Sequence, residues 1–303
     1  MNQKLRHECP VCREPRDFTR IFQAGQYALT GQFFFSCQQM PKPKLMTLGH
    51  CEHCSFVKLL SSGFETKDYS KVDRDTAGQL PHYTPQLLDL IQAEIDTDEK
   101  ILEVGSNDGS FLNQLKAYGY ENLVGIEPSE SLSRVANQKG LKTINRFFNI
   151  ESAQDIISNF GQVDMVICRH TLEHVPNPQE LLDAMHLVCN DNCRLLIEVP
   201  DASHMFDNVL GHEVWDEHLN YFTQETLAEL VRSAGFKSVD IQSWDFRGTK
   251  NLILIARKLE NFDRKKSLVI RIPTPHSYRT FEHSWMRISE KLLSNLDGAA
   301  KPI

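Results

Sequence analysis

Residues 101–112 read Ile-Leu-Glu-Val-Gly-Ser-Asn-Asp-Gly-Ser-Phe-Leu, a short apolar run, a polar turn bracketed by two glycines, and the start of a second apolar pattern. Few segments restrict a fold more. The first four residues suit a buried strand, and Phe111, Leu112, Leu115 and Tyr118 recur at helical spacing. Gly105 and Gly109 let the backbone between them approach a ligand without a Cβ in the way. The turn is not Gly-x-Gly-x-x-Gly, because Ser106-Asn107-Asp108 fills the space, and it lacks the Lys-Ser/Thr of a phosphate-cradling loop. A nucleoside ligand without phosphates fits it better.

The same alternation continues downstream. Leu123–Ile126 reads as a second strand ending at Glu127-Pro128, followed by a helix through Leu132, Val135 and Ala136. A short strand is expected near 142–144, a buried strand over Val163–Cys168, a helix around 178–189 and a strand over Leu195–Val199. Thr223 to Ala234 reads as a helix with Thr223 and Thr226 as its capping pair, and 238–243 and 251–256 as two further strands. Helices are also expected near 84–96, with Pro85 in the first turn, and near 278–296. Strands alternating with helices specify an α/β fold, a doubly wound, mostly parallel Rossmann-like sheet with helices on both faces. Glu127 stands 22 residues after Gly105, where a carboxylate at the end of the second strand can accept ribose hydroxyls.

The first 60 residues differ in kind. They hold Cys9-Pro-Val-Cys12 and Cys51-Glu-His-Cys54, two Cys-x-x-Cys pairs with 38 residues between them. Two such turns supply four thiolates, the donor set of a closed structural zinc site. A redox pair is the rival for a single motif, but neither pair follows a βαβ pattern, and four buried free thiols are the plainer alternative. His50 and His53 flank the second pair and could replace a cysteine. Cys37, Cys168, Cys189 and Cys193 read as packing residues. The segment 40–44 is expected to be extended around Pro41 and Pro43.

These features divide the chain into a zinc-binding domain at 1–70, a helical connector at 71–98, a cofactor-binding domain at 99–258 and a helical tail at 259–303. A formal charge of −7 disfavours binding driven by nucleic-acid phosphates. No apolar run approaches a bilayer span, and residues 1–10 contain no apolar leader core, so no membrane association and a cytoplasmic location are expected.

Three segments carry a resemblance: Glu103-Val-Gly-Ser-Asn-Asp-Gly109, Gly125-Ile-Glu-Pro128 and His170-Thr-Leu-Glu-His-Val-Pro176. Together they resemble the class I S-adenosylmethionine-dependent methyltransferases. With the two cysteine pairs before them and Glu217-His-Leu-Asn-Tyr-Phe222 after them, they look like the zinc-containing sugar C-methyltransferases of deoxysugar pathways. That resemblance implies S-adenosylmethionine and a structural zinc ion as cofactors, with zinc on Cys9, Cys12, Cys51 and Cys54. It implies cofactor contacts from Glu103, Gly105, Ser106, Asn107, Gly109, Glu127, Pro128, Arg169 and His170, with the 145–148 region near the adenine.

It also implies a small acceptor, specifically a nucleotide-linked 4-keto-deoxysugar methylated on carbon. A carbon beside a ketone must lose a proton before it can attack a methyl group, so a base is needed. His218 is the expected base, with Glu217 to orient it and His174 as a second active-site histidine. Trp215 and Asp216 stand where that family reads Tyr-His, and Tyr83 is a candidate for its other tyrosine. The family's further C-terminal domain has no counterpart in the 303 residues, so either a different substrate or a partner chain is expected. Methylation of oxygen or nitrogen in another small molecule, a non-catalytic zinc- and cofactor-binding assembly protein, and a nucleic-acid methyltransferase are the other readings. The last is weakened by net acidity and the lack of an Asn-Pro-Pro-Tyr strand end.

Overall fold

Pairing differs between the two ends of the chain, and the difference follows from connection length. In the computed structural model, which describes residues 4–27, 44–61, 80–260, 262 and 269–299, the N-terminal strands are joined antiparallel. They are β1 (Lys4–Cys9), β2 (Glu14–Tyr27), β3 (Lys44–Cys51) and β4 (Val57–Leu59). A fifth strand, β10 (Asn220–Tyr221), arrives from far along the chain and pairs antiparallel with β4. The sheet order is β1-β2-β3-β4-β10. The expectations for Cys37, for the extended segment around Pro41 and Pro43, and for 71–79 of the connector fall outside the described residues.

From residue 84 onward helices separate the strands. In order come α1 (Thr84–Gln92), β5 (Ile101–Val104), α2 (Ser110–Ala117), β6 (Leu123–Ile126), α3 (Glu130–Gln138), β7 (Thr143–Ile144) and α4 (Ile150–Phe160). Then follow β8 (Val163–Arg169), α5 (Pro178–Val188), β9 (Cys189–Pro200) and α6 (Ala202–Asp207). Beyond β10 lie α7 (Gln224–Ser233), β11 (Phe236–Phe246), β12 (Thr249–Lys258) and α8 (His276–Ala299). The second sheet has the order β11-β12-β9-β8-β5-β6-β7. Strands β5 to β9 are mutually parallel, as the alternation requires, while β11 and β12 form an antiparallel hairpin on β9.

Both faces of this sheet are covered, and the strands are apolar on both sides accordingly. Leu102, Val104, Val166, Cys168, Leu195 and Ile197 pack with α4, α5 and α7. Ile101, Met165, Ile167 and Leu196 point the other way and pack with α1 and α2. Cys168, Cys189 and Cys193 are fully buried, as packing residues should be. The cysteine turns share the first of these cores: Cys9, Val11, Cys51, Cys54 and Phe56 join the residues of β8 and β9. Helix α8 lies against β2 and α6, with Tyr278 and Phe281 buried there.

Candidate functional site

The parallel strand order reverses at β5, whose neighbours are β6 on one side and β8 on the other. Open α/β sheets bind ligands at the carboxyl ends of the strands at such a switch point. A cleft opens there, lined by Glu103, Gly105, Ser106, Asn107, Asp108, Phe111, Arg169 and His170 among others. Gly105 and Gly109 both adopt positive φ, 72° and 76°. A Cβ on Gly105 would meet Thr171 Oγ1 at 2.2 Å, and one on Gly109 would meet Leu141 at 2.6 Å. Glycine is required at both positions by conformation as well as by space.

Two polar atoms in the cleft are buried without a hydrogen-bond partner, Glu103 Oε2 and Ser106 Oγ. Burial pushes the Glu103 carboxyl up to about 8, although Arg169 pulls the other way. The Arg169 guanidinium stacks over Phe111 at 4.2 Å and donates from Nε to Glu198 at 2.6 Å. Glu198, from β9, is a hub that no sequence pattern marks. It accepts hydrogen bonds from Tyr83 Oη, Arg169 and Asn251, and its Oε1 lies 3.0 Å from His170 Nε2. Burial opposes its charge, but Arg169 and His170 hold its carboxyl well below the usual range. Burial likewise opposes charge on His170, yet Glu198 and Glu173 push it up to about 10. Tyr83, a candidate active-site tyrosine from sequence, therefore spends its hydroxyl on Glu198 and Asn251.

Glu127 is buried and sits at the end of β6, where its carboxylate accepts the N–H of Asn107 at 3.0 Å and of Ser129 at 2.8 Å. Its side chain thus braces the glycine turn, with oxygen lone pairs left over for a ligand. Glu127 and Pro128 lie beside the cleft rather than among its lining residues. Asn145 donates to the carbonyls of Glu127 and Pro128, while Arg146 pairs with Glu151 and Asp155 at the surface.

On the far side of His170, the segment 170–176 meets the turn at 215–220. Leu219 and Asn220 donate their N–H groups to the Glu173 carbonyl at 2.8 and 3.1 Å. The rings of His174 and His218 come to 4.9 Å, and Trp215 stacks on His218 at 5.2 Å. His174 and His218 are thus brought together. Glu217 contributes its backbone carbonyl, which accepts from His174 Nδ1 at 2.9 Å. The carboxylate grouped with the two histidines is that of Glu173, whose ligand atom and theirs lie within 4.8 Å of one another. Its position inside His170–Pro176 was the available signal. The indole N–H of Trp215, which stands where a tyrosine is expected, donates to the His212 carbonyl. Burial, then His174, lowers His218 to about 4.

The cysteines converge as well. Cys9, Cys12, Cys51 and Cys54 are all buried and unbridged, with their sulfurs within 4.8 Å of one another. Cys9 and Cys54 are 3.5 Å apart and Cys12 and Cys51 3.8 Å, close to the edge of a tetrahedron with about 2.3 Å metal–sulfur bonds. The two turns repeat one geometry. Arg13 N–H bonds the Cys9 carbonyl and Ser55 N–H the Cys51 carbonyl, and Arg13 and Ser55 both take left-handed φ, 58° and 57°. His50 and His53 face the carbonyls of Cys51 and Val269 instead. The cluster is close enough to bind a metal with sulfur alone.

Comparison with known proteins places the chain in a family. C-methyltransferase NovU of Streptomyces niveus is 29% identical over 256 residues, covering 82% of this chain and 60% of that protein. The chain therefore spans about three fifths of that relative's length. An ubiquinone biosynthesis O-methyltransferase of Coxiella burnetii is 24% identical over 187 residues, 57% of this chain and 79% of the relative. Among solved structures, an S-adenosylmethionine-dependent methyltransferase from Archaeoglobus fulgidus aligns with a TM-score of 0.49 at 18% identity, covering 58% of this chain and 92% of that one. A family model described as a methyltransferase domain matches residues 76–241, which include most of the residues lining the cleft. Because that match takes in more than half of the residues, the chain belongs to the methyltransferase domain family.

Proposed function

We propose that the protein transfers a methyl group from S-adenosylmethionine to a small acceptor, and that the acceptor atom is a carbon beside the ketone of a nucleotide-linked deoxysugar. The supporting observation is a pair of adjoining sites that share His170. On one side is the glycine-walled cleft with Glu103 and Ser106 unpartnered; on the other is the His174–His218 pair. When bound, S-adenosylmethionine supplies a methyl group activated by its sulfonium. Gly105, Ser106, Asn107 and Gly109 would receive its methionine part, with Glu103 facing the ammonium and Arg169 and His170 the carboxylate. Glu127 and Pro128 would hold the ribose.

His174, Glu217 and His218 are the groups proposed to face the acceptor. Proton loss from its carbon falls to them, and the transfer itself chiefly needs a held geometry. The likeness to NovU supports carbon as the atom methylated. Methylation of oxygen is the second reading, favoured by the ubiquinone O-methyltransferase relative. The tetracysteine cluster is proposed to hold structural zinc, whose four protein ligands leave no open position for catalysis. A cytoplasmic location belongs to the same proposal.

The decisive experiment combines calorimetry with isotope exchange. S-adenosylmethionine should bind, and Glu127→Ala should weaken binding at least about tenfold, the loss of roughly 1.4 kcal/mol. A 4-keto-deoxysugar nucleotide should exchange its α-proton for deuterium in the presence of the protein, and His218→Ala should abolish that exchange. Methyl transfer without exchange would favour the oxygen acceptor.

A further inference from the structure

Glu173 is a buried carboxylate beside the two histidines. It is 1% exposed, its Oε2 has no hydrogen-bond partner, and its Oε1 lies 3.4 Å from His170 Nδ1. His170 faces Oε1, and an unpaired second oxygen on a buried carboxylate is still costly. His174 and His218 bring the ring nitrogens grouped with this carboxylate.

The histidines are oriented as metal ligands are. A carbonyl only accepts, so the 2.9 Å contact between His174 Nδ1 and the Glu217 carbonyl makes Nδ1 the N–H, and Nε2 faces Glu173 Oε1 at 3.9 Å. Metal-ligating histidines are commonly held in this way by a backbone carbonyl on their second nitrogen. His218 is fixed between the stacked ring of Trp215 and the edge of His174. The two chain segments are themselves pinned. Asn220 donates to the carbonyls of Leu172 and Val175, and the Glu173 carbonyl accepts from Leu219 and Asn220. Ligands from separate segments are thus held by their own supports, as a preorganised site requires.

The spacing suits an ion. The three ligand atoms lie within 4.8 Å of one another. A cation about 2.1 Å from three ligands at tetrahedral angles needs them about 3.4 Å apart, so closure takes up to about 1.4 Å of side-chain movement. One carboxylate and two imidazoles form a borderline donor set suited to the manganese-to-zinc series, with coordination positions left for oxygen ligands. It differs in kind from the all-sulfur cluster in the N-terminal sheet.

We propose that Glu173, His174 and His218 form a second metal site, which takes a divalent first-row transition-metal cation and presents it to an oxygen of the acceptor. This rests on the acceptor side of the proposed reaction; with His174 and His218 as ligands, Glu217 is the group of that trio left to take the proton. A cation there would stabilise the negative charge that develops on a carbonyl oxygen as its neighbouring carbon loses a proton.

The test is titration of the zinc-loaded protein with Mn2+, following the loss of the free-ion paramagnetic resonance signal. The expected result is uptake of one Mn2+ beyond the zinc content, weakened at least about tenfold in both Glu173→Gln and His218→Ala. Calorimetric S-adenosylmethionine binding by the same variants reports that they are folded. Absence of Mn2+ and Zn2+ uptake by the wild-type protein at this site, or uptake unchanged in Glu173→Gln, would overturn the proposal. Two controls separate it from the functional reading. Methyl transfer to a keto sugar that needs no added cation sinks the metal site and leaves the reaction standing. Specific Mn2+ uptake without transfer to any keto sugar keeps the site and removes that acceptor.

Discussion

Single carboxylates decide the electrostatics around the cleft, and two of them behave oppositely. Glu198 is buried but surrounded by Arg169, His170, Tyr83 and Asn251, so it keeps its charge. Glu103, also buried, has one oxygen without a partner, and burial raises it to about 8. An acid whose folded pKa is raised contributes its stability below its unfolded value and loses it as pH rises through the folded value. Wild-type stability should therefore fall between about pH 4.5 and 8 relative to Glu103→Gln, by an amount on the order of a few kcal/mol. Urea denaturation of both proteins at pH 5 and pH 8.5 measures it, and parallel losses in the two would contradict the assignment to Glu103. Glu103 was readable as a site residue because it precedes the glycine turn. Glu198 was not, since a glutamate in a buried strand gains meaning only from what the neighbouring strands put beside it.

At the scale of elements, most of what the sequence offered was local and held. The Thr223–Thr226 pair closes a reciprocal capping box on α7, each hydroxyl accepting from the other residue's N–H. Thr223→Ala should cost about 1 kcal/mol by removing one of these bonds, seen as a shifted denaturation midpoint with an unchanged slope. The hairpin between β11 and β12 was hidden. Its two turn residues, Arg247 and Gly248, both have positive φ, 49° and 87°, as a two-residue hairpin turn demands. An arginine in the first position masks a turn usually announced by asparagine or aspartate, so the pattern showed two strands without their connection. Their antiparallel pairing onto β9 makes the sheet mixed at one edge.

For the whole molecule, chain order links the two sheets: the N-terminal sheet is finished by β10, two residues beyond His218. The cysteine turns also share a core with β8 and β9. Loss of a metal held by the four cysteines should therefore be felt at 215–221. In Cys51→Ser, or after zinc is removed, amide exchange across 44–61 and 215–221 should quicken at least about tenfold, because those segments share one sheet. S-adenosylmethionine affinity should change less, as the glycine turn lies on β5 and α2. Equal loss at both places would show that the sheets unfold as one unit.

The residue pattern alone determined the alternation of strands and helices, the turn that requires Gly105 and Gly109, the carboxylate at Glu127 and the four sulfurs. Each of these is written in periodicity or spacing within a short stretch, and short-range sterics and burial act on it directly. Only the tertiary structure decided that His50 and His53 turn away from the sulfurs, that Tyr83 serves Glu198, and that Glu173 is the carboxylate gathered with His174 and His218. Those outcomes depend on strand order and on segments more than 40 residues apart meeting at one point. Which side chain then satisfies a buried charge is a question of three-dimensional neighbours, to which local spacing is blind.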